Sequence, residues 1–354
     1  MIDFLIVGNG LAGHVMAHTL KNNQLSFNIV GDSALSQSSR VAAGIWNPIV
    51  FKRMTKSWLA DELIDFLIPF YSDIEKKIEK KIITLRPILK SFFEEQEKQL
   101  WLKKCTFELE KYLDPAISKA APDSFKNHKL TSEFGVVKSA GNIDLEAFID
   151  ESQFFFGSNY INTHFFYKDL LVENNYVKYK GISYKNAIFC EGYLVKNNPY
   201  FNWVPLKPAK GETISISANG LEIENVIINK NGFIFNKKSD IFKVGATYNW
   251  KDLTDDITDD GKNELQQKLN HLISCNYQIL AHQAGVRPSS IDRRPIIGLH
   301  PKYKNLQIFN GLGTKGVMLA PYFANNFVHF YQQKQPLIKE VNVDRFYPLY
   351  KNAN

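Results

Sequence analysis

The sequence predicts an α/β fold, and three of its stretches carry that prediction. Residues 2–7 form a short apolar run that stops at a glycine-rich hexapeptide, after which apolar residues recur at helical spacing. Residues 306–321 repeat the order of strand, glycine loop and helix. Residues 203–249 instead hold short apolar runs between turns, which is typical of an antiparallel sheet. A chain of 354 residues exceeds the usual size of one hydrophobic core, so a second domain is expected.

The N-terminal hexapeptide has the G-x-G-x-x-G pattern of a dinucleotide-binding βαβ unit. Gly8 permits the tight turn, Gly10 lets the backbone approach a pyrophosphate, and Gly13 lets the helix pack against the strand. The helix that begins near Leu11 and Ala12 offers unpaired N–H groups and the positive end of its dipole to the phosphates. We therefore predict that these five residues bind a dinucleotide.

The acidic residue that usually binds the ribose in such units is displaced or missing. Residues 27–30 read as the second strand, and the expected acidic position holds Gly31, with Asp32 next. Either the strand is one residue longer and Asp32 binds the ribose, or the ribose is held in another way.

A loop over residues 36–48 is rich in small residues and helix breakers. Small side chains let a backbone lie against a flat ligand, so we predict cofactor contact here. The alternative is an ordinary loop that enters a helix capped by Ser38 or Ser39. The predicted contact residues are Arg40, Ala42, Ala43, Gly44, Trp46 and Asn47.

The middle of the chain supplies further elements. Residues 58–104 have a helical pattern that breaks near Pro87. Another helix is predicted to begin near residue 145, with Asn142 or Asp144 as its cap.

Short strands are predicted within residues 161–172 and 176–179. An apolar run at 187–190 ends at Gly192 and resembles a further parallel strand of the first domain, which would place Gly192 beside the cofactor.

Composition excludes several classes of protein. The net charge of +7 comes from 43 Lys and Arg against 36 Asp and Glu, and it indicates a solvated basic face or, alternatively, an RNA partner. The three cysteines are widely spaced without a C-x-x-C, so neither a disulfide framework nor a zinc site is predicted, and a cytoplasmic setting fits. The eight histidines form no triad or metal pair. We expect neither a signal peptide nor a spanning helix.

The second glycine loop, at residues 310–316, places another helix N-terminus where an anionic or electron-rich group could bind. One glycine loop at each end of the chain suggests a long ligand held at both ends, and FAD fits. Its pyrophosphate would lie on the first helix, and its isoalloxazine near the second, whose dipole stabilises negative charge on the reduced ring. The predicted contacts in this loop are Gly311, Gly313, Thr314, Lys315, Gly316 and Val317.

Taken together, the motifs resemble the FAD-dependent amino-acid oxidase family, which includes D-amino-acid oxidase, glycine oxidase and sarcosine oxidase. The matching pieces run from residue 2 to about 325. They are the two glycine loops, Ala42-Ala43-Gly44 with Pro48, Gly245-Ala246-Thr247-Tyr248, Gly285-Val286-Arg287-Pro288 with Asp292, Pro295 and Gly298, and Pro321. The Gly-Ala-Thr-Tyr stretch and the basic charge also resemble the oxidase domain of the bifunctional enzyme that modifies the tRNA wobble uridine.

The resemblance implies a discontinuous architecture. A Rossmann-like FAD-binding domain would comprise residues 1–75, 145–203 and 285–354, and a substrate domain with a mixed or antiparallel sheet would comprise 76–144 and 204–284. It also implies non-covalent FAD, since no cysteine stands at the position where some relatives attach flavin.

The implied reaction is hydride transfer to flavin N5 from the carbon that bears an amine, giving an imine that hydrolyses, with oxygen or another acceptor taking the electrons. Arg287 is implied to grip a substrate carboxylate beside the flavin; a structural salt bridge is the alternative. Tyr248 could bind substrate or simply pack, and Lys315 could offset charge on reduced flavin or be an exposed lysine. The substrate would be a small amine or amino acid, or alternatively a secondary amine of a modified tRNA base; a flavin-binding protein without turnover is a third possibility. No metal is expected.

Overall fold

The structure is a computed structural model that describes residues 1–35, 38–92, 94–106, 109–118, 125–130 and 133–353. Residues 36 and 37, at the start of the predicted cofactor loop, lie outside the described residues.

Helices and strands alternate along most of the described chain. The helices are α1 (Leu11–Asn22), α2 (Ser38–Val41), α3 (Ala60–Lys77), α4 (Glu95–Lys104), α5 (Leu145–Phe156), α6 (Asp259–Asn270), α7 (Gly316–Tyr331) and α8 (Tyr347–Ala353). The strands are β1 (Ile2–Val7), β2 (Phe27–Gly31), β3 (Ile45–Trp46), β4 (Ile49–Val50), β5 (Thr55–Lys56), β6 (Ile83–Leu85), β7 (Ile88–Ser91), β8 (Phe134–Val137), β9 (Gly141–Ile143), β10 (Tyr160–Asn162), β11 (Leu170–Val172), β12 (Val177–Tyr179), β13 (Ile182–Phe189), β14 (Ala209–Ser217), β15 (Ile227–Asn229), β16 (Phe233–Lys238), β17 (Ile241–Gly245), β18 (Gln278–Arg287), β19 (Ile296–Leu299) and β20 (Leu306–Asn310).

An eight-stranded mixed sheet forms the Rossmann-like part of the fold. Its main path is β10-β2-β1-β13-β12-β11, and β20 joins β13 and carries β19. The strands β10, β2, β1, β13 and β20 run parallel, which confirms both the βαβ unit and the parallel strand at the 187–190 run. Val7 lies opposite Val30 and Phe189, so three strands end together at one edge of the sheet. Ligands of open α/β sheets bind at this edge.

A seven-stranded sheet lies in the second part of the fold, in the order β18-β14-β17-β16-β15-β7-β8. Its pairs are antiparallel except for β15 with β7, so the predicted antiparallel sheet is confirmed within a mixed one. The domain boundaries themselves stay a prediction.

The helical pattern predicted over residues 58–104 holds at both ends, and the break predicted near Pro87 is confirmed, but the break is wider than expected and contains strands. Helices α3 and α4 occupy its two ends, but β6 and β7 lie between them and flank Pro87. Short apolar runs do not distinguish a buried strand from a helical turn by periodicity, and here the β-branched residues around proline favour the strand.

The structure shows which of the two predicted residues caps the helix after residue 144. Asp144 Oδ1 accepts a hydrogen bond from the Ala147 N–H at 3.2 Å, whereas Asn142 lies within β9. None of the helices among the described residues is long and apolar enough to cross a membrane.

Candidate active site

A large cavity of about 1110 Å³ lies between the carboxyl edge of the eight-stranded sheet and the face of the seven-stranded sheet. We call it the large cavity. Gly8, Gly10 and Asp32 line one end, and Thr247 and Arg287 line the other.

The first glycine turn has the geometry that was predicted for Gly8 and Gly13, and the phosphate approach predicted for Gly10 stays a prediction. Gly8 has φ +122°, and a Cβ there would lie 2.4 Å from the Cys190 carbonyl oxygen. A Cβ on Gly13 would lie 2.0 Å from the Gly8 carbonyl oxygen, so Gly13 serves helix packing and does not line the cavity. Gly10 is the N-cap of α1, and because it has no side chain to cap the helix, the first turn faces the cavity through Leu11 and Ala12.

One part of this helix end was missed by sequence reasoning. Ser39 Oγ accepts a hydrogen bond from the Leu11 N–H at 3.0 Å, so the serine considered as a cap for α2 serves α1 instead. Hydroxyl groups satisfy helix N-termini readily, but this pairing spans 28 residues and no local pattern reveals it.

At the predicted ribose end, Asp32 lines the cavity just after β2. Its Oδ1 accepts from the Ala34 N–H at 2.9 Å, and its Oδ2 lies 3.7 Å from His164 Nδ1. Gly192 also lines this region, with φ +55° and its carbonyl accepting from Asn310 Nδ2 at 2.9 Å. The role of Asp32 in ribose binding stays a prediction.

Glu191 is a cavity residue that the sequence did not single out. Tyr167 Oη donates to its Oε1, and Asn198 Nδ2 donates to its Oε2 at 2.7 Å. Burial nevertheless raises the pKa of this carboxyl to about 7. Glu191 could have been predicted as a cavity residue from its position directly after the apolar run 187–190, because the ends of strands in this fold face the ligand.

The loop after α2 divides into two groups. Ala42, Ala43, Gly44 and Asn47 line the large cavity, and a Cβ on Gly44, where φ is +66°, would lie 1.9 Å from a backbone oxygen. The absence of a side chain on Gly44 thus lets this loop pass close to the backbone of Ile143 in β9, and the cofactor contact predicted for this loop stays a prediction.

Arg40 and Trp46 do not line the large cavity. Arg40 pairs with Asp150 at 2.5 Å, and Trp46, which is 1% exposed, donates through Nε1 to the Ser139 carbonyl at 2.9 Å. Both side chains have protein partners, and their predicted cofactor contact has no support from this placement.

The second glycine loop also presents an uncapped helix end. Gly313, Thr314, Gly316 and Val317 line the large cavity, and α7 begins there without a side-chain cap or an acidic residue in its first turn. Gly311 lies just behind the residues that line the cavity, and its φ is +74°.

Lys315 points away from this lining and donates to Ser57 Oγ. Its burial lowers the pKa of the ammonium to about 8. It is therefore neither the exposed lysine nor a cavity residue, and its predicted role beside the flavin stays untested.

Arg287 is the charged group at the far end of the cavity. Its Nη1 donates to the Lys210 carbonyl at 3.0 Å and its Nη2 to the Thr247 carbonyl at 3.2 Å. Burial lowers the pKa of the guanidinium, and no carboxylate among the described residues forms an ion pair with it. The alternative of a structural salt bridge therefore has no support in the described part of the chain.

Gly211, on the neighbouring strand β14, makes room for Arg287. A Cβ at this position would lie 1.9 Å from Arg287 Nη2. Tyr248 stacks against the guanidinium with 4.9 Å between its ring centre and Cζ, and its ring is also packed on Trp250 at 4.6 Å. Tyr248 is 45% exposed, so it borders the cavity mouth while making both contacts.

These features define a class of protein. The large cavity joins two helix N-termini whose N-cap residues supply no side-chain cap, a glycine turn that a Cβ would close, and a half-buried arginine, which suits a dinucleotide together with a small anionic molecule. A long flat dinucleotide such as FAD fits this lining. No group of three or more potential metal ligands occurs among the residues that the structure describes.

Comparison with known proteins shows which family the chain resembles. Residues 170–328, which are less than half of the chain, match the model of the DAO family, described as FAD dependent oxidoreductase. The predicted resemblance, the α/β fold and the FAD cofactor are confirmed.

Among curated proteins, glycine oxidase of Bacillus subtilis (strain 168) is 27% identical over 116 residues, which cover 32% of this chain and 31% of that protein. Glycine oxidase of Pseudomonas aeruginosa is 23% identical over 137 residues, or 38% of each chain. The alignments thus span only about a third of the length of these relatives.

Solved structures are similar over nearly the whole fold. Glycine oxidase from Geobacillus kaustophilus superposes with a TM-score of 0.78 at 18% identity, covering 94% of this chain and 95% of that chain. L-Proline dehydrogenase from P. horikoshii superposes with a TM-score of 0.75 at 14% identity, covering 99% and 98%. At such low sequence identities, the structural similarity shows only that the proteins share a fold.

Proposed function

We propose that this protein oxidises the C–N bond of a small amine or amino acid that carries a carboxylate, giving an imine that hydrolyses in water. When bound in the large cavity by the first turns of α1 and α7 and the loop at 42–44, FAD would supply the hydride acceptor, and oxygen or another acceptor would take the electrons. The observation that carries the proposal is Arg287, a half-buried cation in the cavity lining with two backbone partners and no carboxylate partner among the described residues.

Arg287 would orient the substrate through its carboxylate. A guanidinium has five N–H donors, and two bonds to carbonyl oxygens leave donors available for a carboxylate. Fixing the carboxylate fixes the neighbouring carbon, which is the main requirement of hydride transfer. Tyr248 would close the mouth above it.

The remaining lining would hold the cofactor without a covalent bond. The first turn of α1 would bind the pyrophosphate, the small residues at 42–44 would lie against the ring system, and the first turn of α7 would favour negative charge on the ring. Glycine oxidases among the similar proteins support a small amino acid as substrate. A cytoplasmic location belongs to this proposal, on the basis of the unpaired cysteines.

An anaerobic screen of flavin reduction tests the proposal. Purified protein is mixed with glycine, sarcosine, proline or D-amino acids, and with benzylamine as an amine that has no carboxylate. We expect one of the carboxylate substrates to bleach the flavin and benzylamine to leave it unchanged. A colourless protein that cannot be reconstituted with FAD overturns the cofactor, and reduction only by modified tRNA overturns the small-molecule substrate.

Two variants of Arg287 separate charge from geometry. Arg287→Lys keeps the positive charge but loses the fork of parallel donors, whereas Arg287→Met loses both. We expect KM to rise about ten-fold or more in the first and further in the second, since hydrogen bonds to charged groups are worth about 1.5–3 kcal/mol each. Unchanged kinetics in Arg287→Met would remove the carboxylate from the proposal.

A further inference from the structure

A second, smaller cavity of about 280 Å³ lies behind the loop of residues 42–44. We call it the small cavity. Ala42, Ala43 and Leu145 line both cavities, so one layer of backbone separates the two. Its other walls come from β6, β9, β16 and β17.

The lining of the small cavity is strongly basic. Five cationic side chains face it, against the two carboxylates Asp144 and Glu146. Both carboxylates are already engaged, because Asp144 caps α5 and Glu146 pairs with Lys237. The cations are Arg40, Lys81, Arg86, Lys237 and Lys243.

Arg86 is the unusual member of this set. Its side chain is only 8% exposed, and its Nε and Nη1 are buried without a hydrogen-bond partner among the residues that the structure describes. Its Cζ lies 5.3 Å from the centre of the Phe235 ring, a contact that supplies no hydrogen-bond acceptor to its donors. Buried donors of a charged group that stay unsatisfied cost free energy, so such an arginine normally has an anionic partner.

Two further buried groups face the same space. Lys243 is 5% exposed and donates through Nζ to Gln283 Oε1 at 2.9 Å, and it forms no ion pair with a carboxylate in the described part of the chain. Burial lowers the pKa of Lys243 to about 8, and the nearby Lys237 lowers it further. Asn142 contributes a buried Oδ1 that accepts no hydrogen bond from any described residue.

We propose that the small cavity binds a small oxyanion that carries a hydroxyl group, with a phosphate or carboxylate accepting from Arg86 and Lys243 and the hydroxyl donating to Asn142 Oδ1. A single ligand of this kind would supply hydrogen-bond partners to the unpartnered buried atoms of the cavity. The site lies outside the large cavity and does not depend on the activity proposed for it. Because residues 42 and 43 line both spaces, the ligand would contact the reverse side of the loop beneath the cofactor.

Titration calorimetry on the FAD-loaded protein tests this inference. The probes are inorganic phosphate, citrate and tricarballylate, which is citrate without its hydroxyl. We expect phosphate and citrate to bind, and citrate to bind more tightly than tricarballylate because only citrate can donate to Asn142. Failure of all three probes to bind overturns the proposal, and equal affinity for citrate and tricarballylate overturns the role of Asn142.

Arg86→Met and Arg53→Met form a matched pair of variants. Both remove one guanidinium, but Arg53 is exposed and lines neither cavity. We expect Arg86→Met to weaken citrate binding about ten-fold or more and Arg53→Met to leave it unchanged. Equal losses in both variants would mean that the anion responds to net charge alone, and would overturn the site.

Thermal unfolding supplies a readout that a purely structural role would not give. Citrate should raise the Tm of the wild-type protein but not that of Arg86→Met. Without citrate, Arg86→Met should be at least as stable as the wild type, because it removes a buried charge without a partner. A marked fall in Tm for the anion-free variant would assign Arg86 to the fold and overturn the proposal. Arg287→Met should retain citrate binding, and its loss there would place citrate in the large cavity.

Discussion

Replacing Gly211 with alanine should displace Arg287 without changing the arginine itself. The added Cβ would lie 1.9 Å from Nη2, 2.2 Å from Cζ and 2.3 Å from Nη1 of Arg287. Because non-bonded carbon contacts are comfortable at about 3.5–4.0 Å, the guanidinium must move by about 1.5 Å or more. This movement would break its bonds to the carbonyl groups of Lys210 and Thr247, now 3.0 and 3.2 Å long.

The expected effect is on substrate binding. A displaced guanidinium loses one or two charge-assisted hydrogen bonds to the carboxylate, each worth about 1.5–3 kcal/mol, so affinity for a carboxylate should fall about ten- to a hundred-fold. Titration with acetate, followed by the absorbance of bound flavin, measures this affinity without requiring the true substrate. The Tm should change little, because alanine is compatible with a strand and the obstruction meets a side chain.

A double variant shows whether the effect passes through Arg287. If Gly211→Ala acts only by moving the guanidinium, adding it to Arg287→Met should cause no further loss of acetate affinity. Additive losses, or a Gly211→Ala protein that binds acetate as the wild type does, would refute the reasoning.

Three other predictions concern the cofactor end of the large cavity. Gly8→Ala should lose bound flavin and about 2 kcal/mol or more of unfolding free energy, since φ is +122° and the Cβ would lie 2.4 Å from the Cys190 oxygen; normal flavin content in the purified variant would contradict this. Acid precipitation of the wild-type protein should release all its flavin, and a yellow pellet would indicate a covalent bond. Burial raises the pKa of Glu191 to about 7 in the folded protein, above its ordinary value of 4.5. The folded state therefore binds the proton more tightly than the unfolded state. The free energy of unfolding should fall as the pH rises from about 4.5 to 7. Glu191→Gln should lack that fall and gain up to about 3 kcal/mol relative to the wild type at pH 8; denaturant unfolding at pH 5 and pH 8 measures it, and parallel pH profiles would contradict it.

The sequence was informative where function depends on backbone conformation. Gly8 and Gly13 were predicted from local spacing, and the structure gives them a tight turn and a close helix contact. Such requirements can be predicted from neighbouring residues in the sequence, because only glycine tolerates the tight turn or the close backbone contact. The same reasoning identified the loop at 42–44.

Side-chain placement was predicted less well, because it depends on contacts between distant parts of the chain. Arg40 and Trp46 stand beside loop residues that line the large cavity, but their own side chains turn to Asp150 and Ser139. Lys315 turns to Ser57, which is 258 positions away. Loop spacing fixes where a backbone runs, but not which side chain points into the cavity.

Gly211 is another residue whose role depends on a contact with a distant part of the chain. It belongs to no motif, and its importance comes only from Arg287 on the adjacent strand β18. Register between strands 76 residues apart is set by the packed sheet, so this pairing could not be predicted from either stretch alone.

The position of β13 has a consequence for how the protein is made. This strand pairs with β1 at one side and with β20 at the other, so the sheet joins residues 2–7 to 306–310 through the middle of the chain. At a synthesis rate of about 5–20 residues per second, about 15–60 seconds separate the emergence of the first strand from that of the last. Once β13 has been synthesised, its apolar edge has no neighbour on the β20 side for about 6–23 seconds of that time. Such long-range pairing slows folding and exposes strand edges to aggregation, so the nascent chain should depend on chaperones until β20 has been synthesised.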